Sequence, residues 1–130
     1  MGALAVRHEA ASAALVRHSI AADLSGRAVC RSSIDDVVLV ASELVGNAVR
    51  HTSADATNDL DISWEVETSP ETVVVRVADP SDATPRPRST DQSDTSGRGL
   101  AIVAAIATDW GVLCSSVGKQ VWARVPITRD

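Results

Sequence analysis

Hydrophobic residues recur at helical spacing as far as His51, then alternate with polar ones from Leu60 onward. This change of period predicts two helices followed by a strand hairpin, around shared apolar surface. The 130 residues suffice for one domain, residues 1–130, burying about two-thirds of its unfolded surface. Ala10, Ala13, Ala14, Arg17, Ile20, Ala21 and Leu24 predict a first helix over residues 8–24. Gly26 and Cys30-Arg31-Ser32-Ser33 interrupt it. Ser33 is a suitable N-cap for a second helix, with Asp35 and Asp36 in its first turn, where the dipole favours negative charge. The expected apolar stripe of that helix is Ile34, Val37, Val38, Ala41, Leu44, Val45 and Ala48, and its end falls near His51.

Leu60, Ile62, Trp64 and Val66 alternate with polar residues in a half-buried strand. A turn at Thr68-Ser69-Pro70-Glu71 leads to Val73, Val75 and Val77 in a second strand ending at Asp79. Residues 80–96, with Pro80, Pro85 and Pro87, form a polar loop of a length usually reserved for function. A third helix is expected from Leu100 to Thr108, and a last hairpin from Trp110 to Val117 and Gln120 to Val125, turning at Gly118-Lys119. Ala3–Val6 adds a short edge strand. The resulting class is α+β: a two-layer sandwich of one sheet with helices on one face.

Trp64, Trp110 and Trp122 are the sole aromatic residues apart from histidine, so the core must be built from Val, Ile, Leu and Ala. Twelve basic against seventeen acidic residues give a net charge of −5. With scarcely an aromatic ring to stack on bases, this charge argues against a nucleic-acid surface. Cys30 and Cys114 have no metal-ligand spacing and read as two reduced thiols. No stretch has the length of a membrane span and Met1 opens no signal-peptide pattern, so a cytoplasmic protein is expected.

Glu43 and Asn47 are four residues apart, about 40° around a helix, and share one stripe at the border of its apolar face. An Asn carboxamide oxygen is a hard ligand of the kind Mg²⁺ takes beside nucleotide phosphates. A carboxylate one turn earlier can orient or deprotonate an attacking hydroxyl. Asp79 is in phase with Val73, Val75 and Val77, and a carboxylate facing the core needs a donor, for which an adenine amino group is suitable. Gly97-Arg98-Gly99-Leu100 opens the third helix, where unpaired N–H groups and the dipole favour phosphate and Arg98 adds charge. His51, one turn beyond Asn47, is a further phosphate candidate. Each feature has an ordinary counterpart: a solvated helix edge, a strand-ending Asp that starts a turn, a glycine-rich approach to a buried helix, a histidine satisfied by a helix C-terminus. A Glu-x-x-x-Asn pair alone arises by chance in roughly one chain in three of this size, so the argument lies in the ordered set. No Walker motif or dinucleotide fingerprint is present.

These segments resemble the GHKL (Bergerat-fold) ATPase superfamily, most closely its anti-sigma-factor serine kinases. Glu43-Leu44-Val45-Gly46-Asn47-Ala48-Val49-Arg50-His51 is similar to the N box, Val77-Ala78-Asp79-Pro80 to the start of the adenine box, and Gly97-Arg98-Gly99-Leu100 to the second glycine box. Gly118 to Arg124 looks like the closing hairpin, so the similarity runs from about residue 8 to 126. The resemblance implies a mixed, mostly antiparallel sheet, with residues 80–96 as ATP lid. It implies Glu43 as catalytic base, Asn47 as Mg²⁺ ligand, and Asn47, His51, Asp79, Gly97, Arg98, Gly99 and Leu100 as ATP-binding residues. The implied activity is that of an anti-sigma factor and protein-serine kinase, with ATP and Mg²⁺ bound. The implied partners are a sigma factor, an anti-anti-sigma (STAS-type) antagonist and a second copy in a homodimer.

One departure stands out. The usual adenine box is Asp-x-Gly-x-Gly, whereas Asp79-Pro80-Ser81-Asp82-Ala83 has no glycine, and Pro80 fixes φ where the lid begins. This motivates a second reading, an ATP-binding regulatory module without turnover. A third, the catalytic domain of a split histidine kinase, requires a partner chain, because two helices of ordinary length would fill the roughly 30 residues before the second helix.

Overall fold

The structure, a computed structural model, describes residues 2–7, 9–50, 59–79, 100–115 and 118–130. The elements follow the order β1 (Gly2–Val6), α1 (Ser12–Ser25), α2 (Arg31–Arg50), β2 (Leu60–Thr68), β3 (Glu71–Asp79), α3 (residues 100–106), β4 (Asp109–Ser115) and β5 (Gly118–Pro126). The five strands form one sheet in the order β1-β2-β3-β5-β4, and each of the four pairings is antiparallel. α2 packs on β3 and β5, and α1 packs on α2 and β1. This is the expected two-layer α+β sandwich, including the edge strand at the N-terminal end.

Val, Ile, Leu and Ala dominate the core, as the lack of Phe and Tyr requires. Leu60, Ile62, Val73, Val75, Val77, Val121, Ala123 and Val125 line the helix-facing side of the sheet. Full burial of each aliphatic side chain stabilises the fold by about 1.5–3 kcal/mol. Trp64 is buried among them, and its Nε1 donates to Asp23 Oδ2 of α1 at 2.8 Å. Its ring lies so close over Gly2 that a Cβ there would stand 2.1 Å from it, so β1 can pair here only with glycine.

Several boundaries differ from expectation. α1 begins at Ser12, not residue 8, because Glu9 to Ala11 make tighter turns that accept from Ser12, Ala13 and Ala14. Its buried stripe is Ser12, Val16, Ile20 and Leu24, whereas Ala14 and Arg17 are exposed. α2 begins at Arg31, two residues before the predicted cap. The Cys30 carbonyl accepts from Ile34 N–H at 3.0 Å, and the Ser33 hydroxyl instead accepts from Thr128 N–H at 2.9 Å. Asp35 and Asp36 consequently lie beyond the first turn. Val40 takes the buried place expected for Val38, which is half-buried. Helix α3 stops at residue 106, since Thr108 N–H is already paired with the Arg124 carbonyl of β5.

Lys119 is not a turn residue. It is the second residue of β5 and pairs with Asp79 of β3 on one side and Cys114 of β4 on the other. Cys30 lies beside Thr128, past the opposite end of β5, so about 30 Å of extended chain separates the regions of the two free thiols. The predicted loop 80–96 lies outside the described residues.

Candidate functional site

The course of α2 over the sheet decides which side chains meet. Its N-terminus is fixed to the segment after β5: Cys30 N–H donates to the Thr128 carbonyl at 2.9 Å, and Thr128 N–H to Ser33 Oγ at 2.9 Å. From there helix and strand run in opposite directions. The helical rise from Ser33 to Asn47 is about 21 Å, and Thr128 to Val121 of the strand spans about 23 Å. Asn47 therefore stands about level with the Val77–Val121 pair, next to the Asp79–Lys119 pair that ends the β3–β5 ladder.

Asn47 is only 5% exposed, and its Oδ1 is buried without a hydrogen-bond partner among the described residues. An unmet buried carbonyl oxygen costs about 1–3 kcal/mol and is rare in folded proteins. Glu43, one turn earlier, is half-buried. Asp79 is 8% exposed and shares the helix-facing side with Val75 and Val77, as its phase predicts. Leu100, half-buried, is the first described residue of α3, and that helix is anchored by the fully buried Val103. By these rises Asn47 lies toward the same end of the helix–sheet cleft as Asp79, with Glu43 one turn earlier on α2. His51, Gly97, Arg98 and Gly99 lie outside the described residues.

The oxygen of Asn47 suits a divalent cation: it is neutral, hard and already stripped of water. Among the described residues no group of His, Cys, Asp or Glu forms a metal cluster. Lys119 is the residue that the sequence reading misplaced. Its period-two phase with Val121, Ala123 and Val125 was available in the sequence and puts it on the helix-facing side.

A different concavity, an open groove of about 730 Å³, lies between α1 and α2 and is lined by Ala14, Ala21, Arg31, Val38 and Ser42 among others. Asn47 is about 180° around the helix from Val38, so the groove opens on the opposite side of α2 from the cleft. Arg17 closes part of its rim by donating to Ser42 Oγ at 2.9 Å.

The sheet face away from the helices carries a salt-bridge network. Arg124 Nε contacts Glu67 Oε1 at 2.9 Å and its Nη1 contacts Asp109 Oδ2 at 2.7 Å, while the guanidinium lies 5.5 Å from the Trp122 ring centre. The hydrogen bond from Arg124 holds the Glu67 carboxyl below the usual range, and Glu67 and then Asp109 raise Arg124. This face is stabilising surface, remote from the cleft.

Among solved structures, the fold matches that of the RsbU and RsbW domains of Rv1364c from Mycobacterium tuberculosis, with a TM-score of 0.73 at 20% identity, over 100% of this chain and 34% of that one. It also matches the histidine kinase domain of the blue-light activated histidine kinase from Erythrobacter litoralis EL346, with a TM-score of 0.56 at 20% identity, over 73% of this chain and 45% of that one. The chain thus spans less than half the length of either. No curated protein matches. The sequence model of the histidine kinase-like ATPase domain matches residues 6–125, and the chain belongs to that family.

Proposed function

We propose that this single domain is an ATP-binding anti-sigma factor and protein-serine kinase. In this reading it sequesters a sigma factor and phosphorylates a serine on an anti-anti-sigma antagonist of STAS type. The observation that carries the reading is the buried Oδ1 of Asn47, without a partner among the described residues, within a histidine kinase-like ATPase domain. The fold match to a structure containing an RsbW domain supports it.

Each residue has a role that follows from its position. Asp79, buried at the end of β3, accepts from the adenine amino group. Asn47 presents its oxygen to Mg²⁺, which neutralises charge on the phosphates when bound. Glu43, half-buried and one helical turn from Asn47, orients the acceptor serine hydroxyl and takes its proton. Gly97, Arg98, Gly99, Leu100 and His51 are proposed to hold the phosphates, and residues 80–96 to cover them. No described helix is long and apolar enough to cross a membrane; action in the cytoplasm is part of the same proposal. Self-association as a homodimer belongs to the same proposal.

Calorimetric titration with Mg-ATP on the parent chain, Asn47→Ala and Asp79→Ala tests the pocket; undiminished binding by both variants would overturn it. Label transfer from ATP to candidate antagonists tests the kinase. Glu43→Ala is expected to slow transfer by about 10²- to 10⁴-fold while sparing ATP binding. Binding by the parent chain without transfer to any antagonist would favour the regulatory module, the reading suggested by the glycine-free run after Asp79.

A further inference from the structure

We propose that Lys119 is a second base-contacting residue, donating from its ammonium to N1 of the adenine whose amino group Asp79 accepts. The inference rests on the nucleotide reading above and adds to it a residue and a ligand atom.

Asp79 and Lys119 are directly opposed in the antiparallel β3–β5 ladder. Opposed residues share a face of the sheet, with Cβ atoms about 4.5–5.5 Å apart. That face is the helix-facing one, because the next pair on the same face, Val77 and Val121, is buried in the core under α2. Asp79 is buried and Lys119 half-buried, so the pair forms the polar lip of the apolar cleft at the end where Asn47 stands. The ion pairs among the described residues join Arg27 to Asp23, Arg76 to Glu65, Arg124 to Glu67 and Asp109, and Arg129 to Glu71. None of them engages Lys119.

The chemistry of the ligand decides the role. Adenine presents an amino donor and the N1 acceptor side by side on its pairing edge. A lone carboxylate serves the donor and leaves N1 without a partner as the base leaves water, a loss that burial makes costly. A carboxylate and an ammonium on neighbouring strands match both groups. A contact of this charge-assisted kind is worth about a tenfold change in affinity.

The test uses the full chain, Mg-ATP and its 1-deaza analogue, in which N1 is replaced by C–H. Lys119→Met is expected to weaken ATP binding about tenfold. The parent chain should bind the analogue about tenfold more weakly than ATP, and Lys119→Met should cost nothing further on the analogue. Equal ATP affinity in parent and variant overturns the inference. Equal losses on ATP and the analogue also overturn it, since Lys119 then acts through Asp79 or the fold and not through N1. If Asn47→Ala and Asp79→Ala abolish ATP binding while Lys119→Met does not weaken it, the inference falls and the nucleotide reading stands. A parent chain that binds no adenine nucleotide overturns both.

Discussion

The two ends of the α2–β5 pair are built to opposite rules. At the N-terminal end of α2, polar groups are paired with one another. Ser33, only 6% exposed, accepts from Thr128 N–H, Cys30 N–H donates to the Thr128 carbonyl, and Asp130 N–H donates to the Ala28 carbonyl. Cys30 Sγ lies 2.9 Å from Thr128 Oγ1, 3.3 Å from Ser33 Oγ and 3.4 Å from Ser32 Oγ. At the other end, Asn47 is equally buried and its Oδ1 has no partner among the described residues. One end anchors the helix to the sheet, and the other holds a buried acceptor without a partner among the described residues. Burial of polar atoms therefore means different things 20 Å apart on one helix, about the rise from Ser33 to Asn47.

The sharpest way to break this comparison is Asn47→Leu. Removing the unmet oxygen is expected to stabilise the free protein by about 1–3 kcal/mol, read as a higher Tm, while Mg-ATP affinity falls about a hundredfold. A lower Tm would show that Asn47 contributes to the fold and is not held in reserve for a ligand. Ser33→Ala should do the reverse. It leaves the Thr128 N–H without its acceptor, costing about 1–3 kcal/mol in a denaturant melt, with ATP affinity unchanged.

The third and smallest effect concerns protonation. Hydroxyls of Ser32, then Ser33, then Thr128 favour the Cys30 thiolate and lower its pKa to about 6. Because the folded value lies below the ordinary thiol range, the stability these contacts lend is complete only above that range and is lost as pH falls through about 6. In a Cys114→Ser background, iodoacetamide labelling of Cys30 should rise with a midpoint near pH 6. A midpoint in the ordinary thiol range would show that the hydroxyls do not turn toward the sulfur.

Legibility from sequence followed the range of the interactions. The α2 stripe and the β2 and β3 strands repeat a local period, so Leu44, Val45, Ile62 and Val75 were placed correctly by spacing alone. Asn47 and Asp79 were legible for the same reason, being in phase with apolar neighbours. Ser33 was misread because its hydroxyl bonds to Thr128, 95 residues away, and no local rule anticipates that competitor for the cap. Lys119 was misread because Gly118-Lys119 looks like a turn pair, although the ladder extends through both residues.

By itself the sequence determined the alternation of periods, the aliphatic character of the core and the identities of the polar residues spared from it. These depend on covalent spacing and hydrophobicity, which every stretch of chain carries with it. Tertiary structure alone decided that α2 runs opposite to β5, that Lys119 faces Asp79 and that the Asn47 oxygen is left unmet. Those facts arise from register and from competition among distant partners, and a linear pattern encodes neither.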